Sequence, residues 1–229
     1  MKLKALKGLI FDIHRTLVDD SGFPRERIWK LIRDHGVRFS MDEYYNLYDK
    51  LTKELFRWDK ISPFIKIRDI HKLRLQKIYQ IFNVKRNIDK DVEFLWNEMG
   101  RCKIYPEVTE VLNVLSTRYR ICLLTNADDD DPLIRILEGN GFSFHKVITS
   151  ESVGAYKPSP ILFETSLKHL NCRKNEVLMI GDSLLSDVLG AHNFGIKVVW
   201  IDRKFRNDTE HYPTPDYHIH NLKQLYDII

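Results

Sequence analysis

KGLIFDIHRTLVDD, from Lys7 to Asp20, decides how this chain folds. Leu9, Ile10 and Phe11 form a short apolar run that reads as a buried strand, and it breaks at Asp12 into polar, turn-forming residues. In open parallel α/β sheets ligands bind outside the carboxyl ends of the strands. Asp12 is therefore expected to point its carboxylate into a crevice.

Working outward, the second half of the chain alternates short apolar runs with amphipathic helices from Ile104 onward, the pattern of a parallel sheet. Strands are expected at Arg120 to Asn126, Lys146 to Thr149, Val177 to Ile180 and Lys197 to Ile201. Pro106, Asp131-Pro132 and Ser159-Pro160 open helices between them. The tail reads as an edge strand, Asp216 to Ile219, and a closing helix, Leu222 to Ile229.

Between the first strand and this half lie about 80 residues of helical pattern, too long for a simple crossover. Pro24 opens a helix whose face holds Ile28, Leu31, Ile32 and His35, with Gly36 ending it. Ser40 caps a second, striped by Tyr44, Leu47, Leu51, Leu55 and Trp58. Ser62-Pro63 restarts the pattern for a third helix, with Ile67, Ile70, Ile78 and Ile81 on one side, and a fourth carries Val92, Leu95, Trp96 and Met99. The aromatic stripes are expected to be bundle core. The expected division is a core domain of residues 1–18 and 104–229 and a helical cap domain of residues 19–103, hinged near Val18 to Gly22 and Gly100 to Tyr105.

With 229 residues and 43% hydrophobic content, the chain can bury one substantial core and a smaller satellite. Cys102, Cys122 and Cys172 are scattered and form no CxxC pair, which argues against a zinc site or a disulfide framework; Cys122 falls in an apolar run and is expected in the core. No stretch approaches the roughly 20 apolar residues that span a bilayer, and the apolar run near the start is too short for a secretion signal. A cytoplasmic location is expected, with neither nucleic acid nor membrane as a partner. Net charge is +4, and 19 Lys and Arg stand against 14 Asp and Glu between Val18 and Lys103. Such a surplus reads as solvated helix faces, or as a positive lid over an anionic substrate.

Each later strand delivers a polar residue to the same crevice. Leu123-Leu124-Thr125-Asn126 ends one, Lys157-Pro158 follows another, and Gly181-Asp182-Ser183-Leu184-Leu185-Ser186-Asp187 ends a third with two carboxylates five residues apart. Taken singly, the first is an ordinary turn, the second a loop lysine and the third a helix cap. Together with Asp12 they resemble the four motifs of the haloacid dehalogenase superfamily, over Gly8 to Leu17 and Ile104 to about Asp202.

The resemblance implies a Rossmann-like parallel sheet with a helical cap inserted after the first motif. It also implies roles. Asp12 becomes the nucleophile, Thr125 and Asn126 bind the phosphoryl group, and Lys157 is a fixed cation that serves both catalysis and substrate binding. Mg²⁺ is held by Asp12, Asp182, Asp187 and the backbone carbonyl of His14, hard oxygen donors of the kind that ion prefers.

One position departs from the pattern. Where family phosphatases carry a second Asp as general acid/base, this chain has His14, and Arg15 stands where Gly is common. Imidazole titrates near neutrality, so His14 is the candidate acid/base. The expected function is Mg²⁺-dependent hydrolysis of a small phosphorylated metabolite through an aspartyl-phosphate on Asp12. Two alternatives stay open: a weakened protein that binds a phosphorylated ligand, and a 2-haloacid dehalogenase, whose family members lack the second Asp but also lack the paired metal carboxylates.

Overall fold

A computed structural model describes residues 3, 5–34, 39–58, 60–142, 144–205 and 211–229. Six strands form one parallel sheet. They are β1 (Gly8–Phe11), β4 (Arg120–Thr125), β5 (Lys146–Thr149), β6 (Val177–Gly181), β7 (Lys197–Ile201) and β8 (Tyr217–Ile219), in the order β5-β4-β1-β6-β7-β8. Residue alternation divides the core between the two faces. Leu9, Phe11, Leu123 and Ile180 pack toward α5 (Val108–Ser116), α6 (Pro132–Gly139) and α10 (Leu225–Ile228). Ile10, Cys122, Leu124 and Met179 pack toward α8 (Pro160–Leu170) and α9 (Gly190–Phe194). A short helix, α7 (Ser150–Val153), follows β5.

The two crossings into the insert pair with each other. β2 (Val18–Asp19) lies antiparallel to β3 (Lys103–Ile104), with Val18 opposite Ile104. Between them run α1 (Arg25–Arg33), α2 (Met41–Leu55), α3 (Ile67–Ile81) and α4 (Ile88–Met99). Ser40 caps α2 through a reciprocal bond with Glu43, as its position implies. Ile28, Ile32, Tyr44, Leu51, Leu75 and Ile78 form the insert's own apolar cluster.

Three expectations need correction. Tyr48 is more deeply buried than Leu47 in the α2 stripe, Trp58 lies beyond the end of α2, and Ile81 is 58% exposed at the end of α3. His35 and Gly36 lie outside the described residues. No described helix is long and apolar enough to cross a membrane.

The insert docks on the sheet through a cap borrowed from the core. Lys66, at the head of α3, offers no side-chain cap. The first N–H groups of the helix, those of Ile67 and Arg68, instead donate to the two carboxylate oxygens of Asp128, both at 2.8 Å. Around this contact Lys66 pairs with Glu151, Arg68 with Asp130, and the Tyr156 hydroxyl donates to the Ile65 carbonyl. Tyr156 also packs against Trp58 and Phe64.

Burial pushes the Asp128 carboxyl up to about 6, against the two N–H donors that favour its charge. Its folded value is raised above the unfolded one, so the native state binds the proton more tightly and this group's contribution grows as pH falls from 7 toward 4. In urea melts, the wild type is expected to gain about 1 kcal/mol relative to Asp128→Asn between pH 7 and pH 5. A pH-independent difference between the two proteins would refute the assignment.

Candidate active site

Because β4, β1 and β6 run parallel in register, with Phe11 beside both Leu123 and Ile180, their carboxyl ends place Asp12, Thr125 and Asp182 side by side. The Asp12 backbone N–H continues the ladder to the Ile180 carbonyl at 2.9 Å. Asp187 is brought back to the same point by a π-helical turn, Leu184–Leu189, in which the N–H groups of Asp187 and Val188 both donate to the Ser183 carbonyl. Its carboxylate accepts from the Ser183 N–H at 2.9 Å and lies directly over Gly181. A Cβ on Gly181 would sit 2.3 Å from the Asp187 Cγ, so only glycine fits. The indole of Trp200 donates to the Asp182 carbonyl at 3.0 Å and steadies the loop.

Asp12, Asp182 and Asp187 are all buried, and each offers an oxygen within 4.8 Å of the others. Lys157 stands among them, 1% exposed, donating to Asp12 Oδ1 (2.7 Å), Asp187 Oδ1 (2.6 Å) and the Leu124 carbonyl (2.8 Å). Burial opposes its charge, yet Asp12 and Asp187 outweigh burial and raise its pKa. Arg15 donates to Asp182 Oδ2 at 2.9 Å, and the Thr16 hydroxyl to Asp12 Oδ2 at 3.0 Å. Arg15 is half-exposed and adds positive charge beside this carboxylate. Its backbone has φ of 56°, a left-handed conformation that glycine adopts with less strain.

Among the described residues Lys157 and Arg15 stand beside these three carboxylates, and Asp187 feels the other two. Burial first, then the charges of Asp12 and Asp182, push its carboxyl up to about 7 despite Lys157. An all-oxygen set of three buried carboxylates fits a hard divalent cation. A second acidic group, Asp128, Asp130 and Glu151, differs: its charges meet Lys66, Arg68 and the head of α3.

Thr125 Oγ1 is buried without a partner among the described residues, which suits it to a ligand oxygen. Asn126 lines the cavity and also has a second bond set: its Oδ1 accepts from the Lys157 N–H (2.7 Å) and its Nδ2 donates to the Lys157 carbonyl (3.1 Å), so the amide clasps the lysine's backbone.

His14 departs from expectation. Nδ1 lies 2.9 Å from Asp20 Oδ2 and Nε2 lies 3.1 Å from Asp131 Oδ2. Burial works against a charged ring, but Asp131 and Asp20 hold the imidazole pKa well above its ordinary value. Both ring nitrogens of His14 are thus engaged by carboxylates, an arrangement that favours the charged ring. In this geometry it has no free nitrogen with which to act as a base, and Asp131, through its other oxygen, caps α6 at the Leu133 N–H.

A cavity of about 320 Å³ opens over Asp12 and Lys157. Its far wall comes from the insert, including Tyr48, Phe56, Trp58, His71 and Arg74, so part of the aromatic stripe expected to be bundle core lines this space. Sequence reading missed Asp20, Asp131, His71 and Arg74, since their partners are not set by any short motif.

A family model described as haloacid dehalogenase-like hydrolase matches residues 9–201. Among curated proteins, the chain is 27% identical to glyceraldehyde 3-phosphate phosphatase from Pyrococcus furiosus, over 99% of this chain and 94% of the relative. It is 24% identical to human N-acylneuraminate-9-phosphatase, over 98% and 94%. Among solved structures, the HAD-hydrolase YfnB from Bacillus subtilis, bound to magnesium, superposes with a TM-score of 0.79 at 18% identity, covering 98% of both chains. L-2-haloacid dehalogenase from Xanthobacter autotrophicus superposes at 0.75 with 17% identity, covering 96% of both, so the fold is common to both chemistries.

Two outcomes follow from this geometry. Gly181→Ala should displace the Asp187 carboxylate and lower turnover by at least about 100-fold, because a misplacement near 1 Å costs that much, and the overpacking should cost about 1 to 3 kcal/mol in urea melts; activity near wild type would show that Asp187 has room to move. His14→Asp should face two buried carboxylates with a third and destabilise the protein by about 3 kcal/mol in urea melts, a loss largely recovered in the double variant with Asp131→Asn.

Proposed function

Because the chain belongs to the haloacid dehalogenase-like hydrolase family, we propose that the site around Lys157 makes it a phosphatase of small phosphorylated metabolites, with Asp12 as nucleophile. Its curated relatives are named phosphatases of such compounds. The observation that carries the reading is the buried trio of Asp12, Asp182 and Asp187 set beside a partnerless Thr125 hydroxyl. Carbon chemistry at Asp12 calls for no metal and so gives no reason for three oxygen donors to converge here.

Asp12, Asp182 and Asp187, with the backbone carbonyl of His14, would hold Mg²⁺. When bound, the ion supplies positive charge against the phosphoryl oxygens and the nucleophile. Lys157 orients the Asp12 carboxylate through Oδ1 and adds a second fixed cation. A carboxylate oxygen of Asp12 forms a bond to phosphorus while the ester P–O bond breaks, its electron pair leaving with the ester oxygen. Water then attacks phosphorus, releasing inorganic phosphate and restoring the carboxylate. Thr125 donates its hydroxyl to a phosphoryl oxygen.

His14, held by Asp20 and Asp131, acts as a fixed cation at the mouth and is a poor proton donor to the leaving group. The leaving oxygen takes its proton from water. Residues 19–103 form the cap domain over a core of residues 1–18 and 104–229, with the β2 and β3 pair as hinge. A cytoplasmic setting accords with three free cysteines.

Turnover of an aryl phosphate is expected to require Mg²⁺ and to disappear in Asp12→Asn and in Asp182→Ala. Full activity in EDTA, with halide released from a 2-haloacid, would establish dehalogenation instead. Without a competent proton donor, aryl and acyl phosphates should be hydrolysed about 100-fold or more faster than sugar phosphates, since general acid help is worth about 10²- to 10⁴-fold for poor leaving groups. Equal kcat/KM on both classes would mean that an efficient acid is present.

A further inference from the structure

The part of the cavity wall that the insert supplies holds a cation that the proposed reaction does not use. Arg74, on α3, is 2% exposed and among the largest fully buried side chains of the protein. Its guanidinium lies against the faces of Tyr48 and Phe56, 4.3 and 4.7 Å from the ring centroids. Nη1 donates to Thr52 Oγ1 at 3.2 Å and Nη2 donates to His71 Nδ1. Nε is buried without a partner, and among the described residues no carboxylate pairs with this arginine.

A buried charge with no counter-charge is expensive, and natural proteins keep one where something else completes it. The neighbours do not neutralise Arg74. His71 accepts from the guanidinium through Nδ1, which leaves its other nitrogen as a donor, and burial with the nearby Arg74 charge keeps the ring neutral. Thr52 spends its own hydroxyl proton on the Tyr48 carbonyl. The insert therefore presents donors and a positive charge beside the apolar side chains of Phe56, Trp58, Ile67 and Met99, with its one lining carboxylate, Asp20, already paired to His14.

We propose that Arg74, assisted by His71, recognises a carboxylate at the end of the substrate opposite its phosphoryl group. This rests on the phosphatase reading above and narrows it to phosphorylated carboxylic acids. A carboxylate is preferred over a second phosphoryl group on charge and shape. One guanidinium balances one negative charge, whereas a phosphate monoester carries about 1.5 to 2 at neutral pH. The planar fork of guanidinium donors matches the two oxygens of a carboxylate. A cavity of about 320 Å³ falls at the small end of ligand pockets, so the carbon skeleton joining the two groups is short.

The test compares kcat/KM for ω-phosphorylated carboxylic acids of two to four carbons with the corresponding phosphorylated alcohols, glycerate 3-phosphate and glycerol 3-phosphate among them. At one or more lengths the acid should be preferred by about 30-fold or more, because a site built around a buried charge rejects the analogue that leaves it unpaired. Arg74→Gln should bring that ratio within about 3-fold of unity, and Arg74→Lys should restore only part of it. If neither variant folds, judged by circular dichroism, the wild-type ratio decides.

A wild type that hydrolyses acids and alcohols alike at every length overturns the inference and leaves the phosphatase reading intact. If the wild type hydrolyses none of them and no p-nitrophenyl phosphate either, that reading fails. The inference is then decided by calorimetric binding of the same pairs to Asp12→Asn, where equal affinity for acid and alcohol overturns it.

Discussion

The ammonium of Lys157, bonded at once to Asp12, Asp187 and the Leu124 carbonyl, holds together groups that would otherwise repel one another. Three carboxylates cannot be buried at one strand edge unless cations stand among them. Much of the local structure serves that requirement. Asn126 fixes the lysine's backbone, Gly181 leaves room for the carboxylate above it, and the widened turn after Ser183 aims Asp187 inward. Arg15 accepts a left-handed backbone to reach Asp182. The pocket is therefore polarised before any ligand arrives, and its three converging carboxylates are the hard oxygen donors that a divalent cation takes.

His14 belongs to a set. Asp20 enters from the start of the insert and Asp131 from the head of α6, and the ring joins them, reaching Asp131 across a separation of 117 residues. A carboxylate at position 14 would have met two others. The departure from the family pattern thus has a local electrostatic reason, and the same interaction that makes the ring structurally useful takes its protons away from chemistry. Core and insert meet at this ring, which places a charge contact beside the reacting centre and next to the paired strands β2 and β3.

The sheet and most of the site were legible because their signals are short. A strand ending in Asp, a Lys-Pro after a strand and two Asp five residues apart each occupy one stretch, and the parallel order of the strands does the assembling. What was not legible depended on distant partners. Asn126 looked like a ligand group alone because its bond to Lys157 spans 31 residues. His14 looked like a base because nothing in HRTLVDD announces that Asp131 will take its other nitrogen. Arg74 reads in sequence as an ordinary helix arginine, and only the packing of Tyr48 and Phe56 around it reveals a buried charge. Ile81 and Trp58 were misassigned for a simpler reason: both lie where a helix ends and its periodicity no longer governs which way a side chain faces.

The borrowed cap on α3 also bears on how such enzymes exchange parts. A helical insert moved onto a different core would carry α3 but leave Asp128, Glu151 and Tyr156 behind, so the exposed head of that helix would arrive with its first N–H groups unanswered. Chimaeras that join this insert to another sheet need an acid at the matching point of the recipient's loop after β4. The unit of inheritance is then larger than the insert, since it includes the loops of the sheet on which the insert rests.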